Sequence, residues 1–148
     1  MKKQIISLYD YTAEAVKPWA EDGFNCFCYD IQHEETEQTE IFKSGGSITK
    51  IKMDLQETET RSNHVFYPFI FELLKRHSYK TKFLFGWPPC FDLAVSGAAH
   101  FKTKAEKNPR FQIEASQHAQ SVSMLGSLLE VPYLIENPVS RLATLWRK

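Results

Sequence analysis

The sequence predicts an α/β fold, doubly wound around a mostly parallel sheet of about five strands. Two observations carry that expectation: short apolar runs alternate with segments of helical periodicity, and each run ends at an acid or at a Pro/Gly turn. No internal repeat or low-complexity linker divides the 148 residues, so a single domain is expected over 1–148, long enough to bury a sizeable core.

The first strand is the run Ile5-Ile6-Ser7-Leu8-Tyr9, stopped at Asp10. A helix starts around Lys17-Pro18-Trp19, with proline in its first turn, and Gly23 stops it. A second strand over 24–31, rich in Phe, Tyr and Cys, closes on Asp30. Residues 32–39 are polar and Gly45-Gly46 follows, which reads as a surface loop. Period-two alternation over 48–53, ending at Asp54, gives a third, half-exposed strand. Phe66, Phe69, Ile70, Leu73 and Leu74 are spaced for a helix over 65–76. The fourth strand, 82–85, halts at Gly86-Trp87-Pro88-Pro89. The clearest helix has Asn108 as its N-cap, Pro109 at the first helical position and the stripe Phe111, Ala115, His118, Val122, Leu125, Leu129. A fifth strand over 133–135 leads to Glu136-Asn137-Pro138, and a last helix begins near Pro138. The first strand is expected to be central.

Composition excludes several classes. No apolar run approaches the roughly 18 residues of a spanning helix, so an integral membrane protein is not expected. Met1-Lys2-Lys3-Gln4 leads into too few apolar residues for a signal peptide, and three cysteines fit a reducing compartment, so a cytoplasmic location is expected. Eighteen basic and eighteen acidic residues cancel, which removes the usual footprint of a dedicated nucleic-acid binder but allows a local basic groove. The five histidines show no metal-ligand spacing, and no metal is expected; His118, on the apolar stripe, reads as a satisfied core histidine.

In parallel sheets ligands sit beyond the carboxyl ends of the strands. That rim collects Asp10, Asp30, Asp54, the Trp87-Pro88-Pro89-Cys90 turn and Glu136-Asn137-Pro138. A carboxylate at the end of the second strand can accept both hydroxyls of a ribose. With Asp54 on the same rim, the pair suggests an adenosine ligand. Two prolines make a stiff loop that holds Cys90 at a strand tip, where its thiolate is a candidate nucleophile. A buried Glu136 can hold a proton for a ring nitrogen, and Asn137 can orient the loop through its amide. Cys26 and Cys28 are read as packing residues on opposite faces of the second strand.

The order Trp87-Pro88-Pro89-Cys90, then a helix, then Ile135-Glu136-Asn137-Pro138 resembles the DNA cytosine-5 methyltransferases. The longer strings Pro88-Pro89-Cys90-Phe91-Asp92-Leu93-Ala94-Val95-Ser96-Gly97 and Glu136-Asn137-Pro138-Val139-Ser140-Arg141-Leu142 look most like the short, phage-type members. The resemblance spans nearly the whole chain but only the front half of the family pattern. It implies a Rossmann-like methyltransferase fold, S-adenosylmethionine as cofactor, and DNA as partner. It further implies Cys90, Glu136 and Asn137 as catalytic residues, with cofactor contacts from Tyr9, Asp10, Asp30, Ile31, Asp54, Leu55 and Pro88. Cys90 would add to ring carbon 6 and Glu136 would serve ring nitrogen 3. Two departures stand out. Ala13-Glu14-Ala15 occupies the place of a glycine-rich first motif, and the family's later Arg-containing motif, target-recognition region and closing cofactor motif have no counterpart in the sequence. The resemblance therefore leaves three readings: a shortened chain, a minimal protein that takes target recognition from a partner chain, or a methyltransferase-like binding module that no longer catalyses.

Overall fold

The computed structural model describes residues 2–61, 64–77 and 80–146. Among these described residues eight strands and five α-helices follow one another in the order β1 Gln4–Leu8, α1 Lys17–Glu21, β2 Asn25–Asp30, β3 Glu37–Ile41, β4 Ser47–Lys52, β5 Glu59–Arg61, β6 His64–Phe66, α2 Pro68–His77, β7 Thr81–Gly86, α3 Phe101–Lys107, α4 Phe111–Leu129, β8 Tyr133–Ile135 and α5 Leu142–Trp146. Short 3₁₀ turns at Glu14–Val16 and Val95–His100 lead into α1 and α3.

Six strands form one mixed sheet in the order β3-β4-β2-β1-β7-β8, in which β4, β2, β1, β7 and β8 run parallel and β3 pairs antiparallel with β4. These five parallel strands are the five that the sequence predicts, with β1 in the middle. Helices cover both faces. On one, Ile6, Leu8, Tyr29 and Leu84 pack against Phe69, Ile70 and Leu73 of α2 and Val122 and Leu125 of α4. On the other, Ile5, Cys26, Cys28 and Ile48 meet Val16 of the first 3₁₀ turn and Ala20 of the short α1. The buried residues of α4 include Ala115, Val122 and Leu125 of the expected stripe. Gly86 ends β7 directly beneath α4: a Cβ there would come within 2.6 Å of Val122 Cγ1. Only glycine lets that helix lie so close to the strand that leads to Cys90.

Several expectations need correction. The polar stretch after Asp30 is not all loop, because Glu37–Ile41 adds β3, a fully exposed edge strand. The helix expected from residue 65 begins at Pro68, after β5 and β6 have paired as a separate two-stranded sheet. Proline is well placed at a first helical position, since its missing N–H has no partner there anyway. Asn108 does accept a hydrogen bond from the Arg110 N–H at 3.0 Å, but α4 itself starts at Phe111, with Asn108 closing α3. Cys26 and Cys28 lie on the same face and in the same cluster, as residues two apart on a strand must.

Candidate functional site

The rim built by the carboxyl ends of the parallel strands holds a cleft of about 440 Å³, within the usual range for a small-molecule site. Tyr9, Asp30, Ile31, Asp54, Leu55, Pro88, Cys90 and Glu136 line it together. Of the expected site residues only Asp10 and Asn137 stand outside. Gln32, Met53, Gln56 and Phe91 also line it and carried no sequence signal beyond following a strand end or the cysteine.

On the β2/β4 side two carboxylates close tight turns. Asp30 accepts the Gln32 N–H at 2.8 Å through Oδ1. Asp54 accepts the Gln56 and Glu57 N–H groups at 2.8 and 3.1 Å, again through Oδ1. Such turns are a habit of Asp at chain reversals, because the carboxylate copies a backbone acceptor. Among the described residues Oδ2 of each accepts no hydrogen bond, which leaves its lone pairs open. Tyr9 lines the cleft with its hydroxyl donating to the Leu55 carbonyl at 3.1 Å, and burial pushes its phenol far above the ordinary range.

The β7/β8 side carries Cys90 and Glu136. Cys90 is a free, half-buried thiol whose carbonyl accepts the N–H groups of Leu93 and Ala94 at 2.9 and 2.7 Å. The Glu136 N–H donates to the Gly86 carbonyl at 3.0 Å, which fixes the start of its loop to the end of β7. The two loops are then zipped together: Val95 N–H donates to the Val139 carbonyl at 3.1 Å and Arg141 N–H to the Leu93 carbonyl at 3.0 Å, with Ala94 and Ser140 bridged antiparallel. Cys90 and Glu136 are therefore set on one backbone framework.

Four side chains differ from expectation. Glu136 is exposed at the mouth, so its removal from water has to come with whatever covers the cleft. Asn137 orients nothing through its amide: both Oδ1 and Nδ2 are buried without a hydrogen-bond partner. His118 is not fully satisfied, since Nδ1 is buried and unpartnered, and its ring meets Tyr9 edge-on at 6.3 Å. Asp10 turns away from the cleft and accepts Ser7 Oγ–H at 2.7 Å and Ala13 N–H at 2.8 Å, with the Cys28 thiol 3.9 Å away. Its loop is tight, with Tyr9 and Ala13 at φ +58° and +65°. That left-handed conformation is natural to glycine and costs other residues about 1 kcal/mol.

Among the described residues no group of three or more His, Cys, Asp or Glu gathers as a metal site, and no helix is long and apolar enough to cross a membrane. No family model matches the sequence, and neither a curated protein nor a solved structure matches it.

Proposed function

We propose that the rim cleft binds S-adenosylmethionine and that the chain is a methyltransferase of the cytosine-5 type acting on DNA. The observation that carries this reading is the convergence of Asp30, Asp54, Cys90 and Glu136 on one cleft from four different strands. The donor set fits the cofactor. Asp30 Oδ2 would accept a ribose hydroxyl, Asp54 Oδ2 an adenine amino group, and Ile31, Leu55 and Pro88 would flank the rings with apolar surface. The half-exposed Ile31 is well suited to that contact.

When bound, S-adenosylmethionine supplies the electrophilic methyl group. The chain's own task is to make carbon 5 of cytosine nucleophilic. The Cys90 thiolate adds to carbon 6, and the displaced ring electrons move toward carbon 5 and nitrogen 3. A hydrogen bond from a protonated Glu136 to nitrogen 3 keeps negative charge from accumulating there. The zipped loops hold both groups in a fixed relation, so the entropy of bringing them together is met by the fold. A base within duplex DNA has to be flipped out to reach the cleft. Loss of the proton from carbon 5 and departure of Cys90 complete the exchange.

A second reading, a methyltransferase-like module that binds without transferring, is favoured by Ala13, which holds a left-handed conformation at the place of a glycine-rich motif. DNA carrying 5-fluorocytosine separates the two, because fluorine cannot leave as a cation and the covalent adduct is trapped. Wild type with S-adenosylmethionine should give a stable protein–DNA band and Cys90→Ser none. A band that persists in Cys90→Ser overturns the nucleophile. No band in a wild type that binds the cofactor in a separate titration supports the binding module.

A further inference from the structure

Trp87 opens the Cys90 loop and lies face to face with Phe85 of β7, with ring centroids 6.0 Å apart and planes 11° from parallel. Its indole N–H donates to Ser7 Oγ at 3.0 Å, and Ser7 Oγ–H in turn donates to Asp10 Oδ2 at 2.7 Å. Asp10 Oδ1 accepts the Ala13 N–H at 2.8 Å. The direction of this chain is fixed by chemistry. An indole N–H can only donate and a carboxylate can only accept, so Ser7 must accept from Trp87 and donate to Asp10. Ser7 is fully buried and Asp10 nearly so, which leaves no water to replace a broken link. The chain begins one residue before Pro88 and Pro89, whose rings transmit its position to Cys90. It ends in the loop after β1, the strand next to β7, where Tyr9 lines the same cleft.

We infer that Trp87, Ser7 and Asp10 form a directional hydrogen-bond relay that positions the Cys90 loop on the β1 loop, so that these two neighbouring loops, which both line the cleft, hold one geometry. Asp10 thereby acts as a positioning residue, and Trp87 acts through its N–H as well as its ring. The catalytic meaning of Cys90 rests on the reading proposed above, but the relay itself does not.

Alkylation of the native chain by iodoacetamide, followed by peptide mapping, reads the relay directly. Cys26 and Cys28 are fully buried, so Cys90 is the reporting thiol. Trp87→Phe keeps an aromatic ring to stack on Phe85 and removes the N–H together with part of the indole, so Ser7→Ala, which leaves Trp87 whole, is the matched control. Ser7→Ala removes the middle of the chain. Each should raise the Cys90 alkylation rate roughly three- to tenfold, the scale expected when a buried hydrogen bond is lost, and the double variant should go no further than the larger single one. A merely structural role would lower the melting temperature and leave the Cys90 rate, measured far below it, unchanged. An unchanged rate in Trp87→Phe, or effects of the two substitutions that multiply, overturns the relay. Should Ser7→Ala fail to fold, Asp10→Asn paired with Trp87→Phe provides the same cycle. Titration of wild type with S-adenosylhomocysteine runs alongside. Absence of binding with the non-multiplying rates intact removes the cofactor reading and keeps the relay, and binding with unchanged rates does the reverse.

Discussion

The two ends of the central sheet are built on opposite rules. At the amino ends of the strands, His77 is sealed from solvent, with Nε2 2.5 Å from the Tyr29 hydroxyl and Nδ1 3.1 Å from Gln4 Oε1. Both ring nitrogens are taken by other side chains, and neither remains for a ligand. At the carboxyl ends, Asp30 and Asp54 each keep an oxygen unbonded, Cys90 is free and Glu136 is exposed. Asp10 is the instructive exception, because it stands at the open end and is wired like the closed one. It is 6% exposed, as is Asp30, yet its two oxygens serve donors from within the fold. Which lone pairs are already taken distinguishes an acid committed to the fold from one that still has an oxygen to offer.

The largest effect should come from Asp10. Asp10→Ala strands the Ser7 hydroxyl and the Ala13 N–H in a dry interior, and should lower unfolding free energy by about 3 kcal/mol or more. Urea denaturation measures it. A loss no larger than that of Asp30→Ala would erase the distinction between the two acids.

The closed end gives a pH signature. Burial lowers His77 to about 4, with the nearby positive charges of Arg76 and Lys80 acting in the same direction. Above the ordinary histidine value near 6.5 the ring is neutral whether the chain is folded or not. As pH falls from there toward 4 the unfolded chain takes up a proton that the folded chain refuses, so stability declines, by up to about 3 kcal/mol. Burial lowers His33 and His118 as well, and they contribute in the same sense. Unfolding followed between pH 7.5 and 4.5 should therefore show a slope that flattens in His77→Gln, and an equal slope in both chains would contradict the closed network.

At the open end the expected effect is smallest in energy and lies in binding. Asp30→Ala should weaken S-adenosylmethionine roughly tenfold, the loss of a hydrogen bond to a charged group. Calorimetric titration checks it, and unchanged affinity in a folded chain would remove Asp30 from the site.

The parallel strands were legible because β1, β2 and β7 are short, largely buried apolar runs, while β4 shows itself by period-two alternation. β3 was not, since every residue of Glu37–Ile41 is exposed and it exists by pairing with β4, a relation no local pattern records. The three-residue β5 and β6 are too short for any period to show. At the site, Cys90, Glu136, Asp30 and Asp54 could be read from their positions at strand ends. The inward turn of Asp10 could not, because it depends on Ser7 and on a left-handed Ala13 that sequence spacing does not reveal. The exposure of Glu136 likewise follows from how its loop lies on the residues after Cys90.

The zipper between Leu93–Val95 and Val139–Arg141 has a temporal consequence. Cys90 leaves the ribosome well before the segment that templates its loop. During synthesis the first strands can pair and collapse while the thiol-bearing loop still lacks its partner. The strand order places β8, the last strand in chain order, at the margin of the sheet. A nascent chain thus carries Cys90 before the segment that completes the framework of its loop has been made.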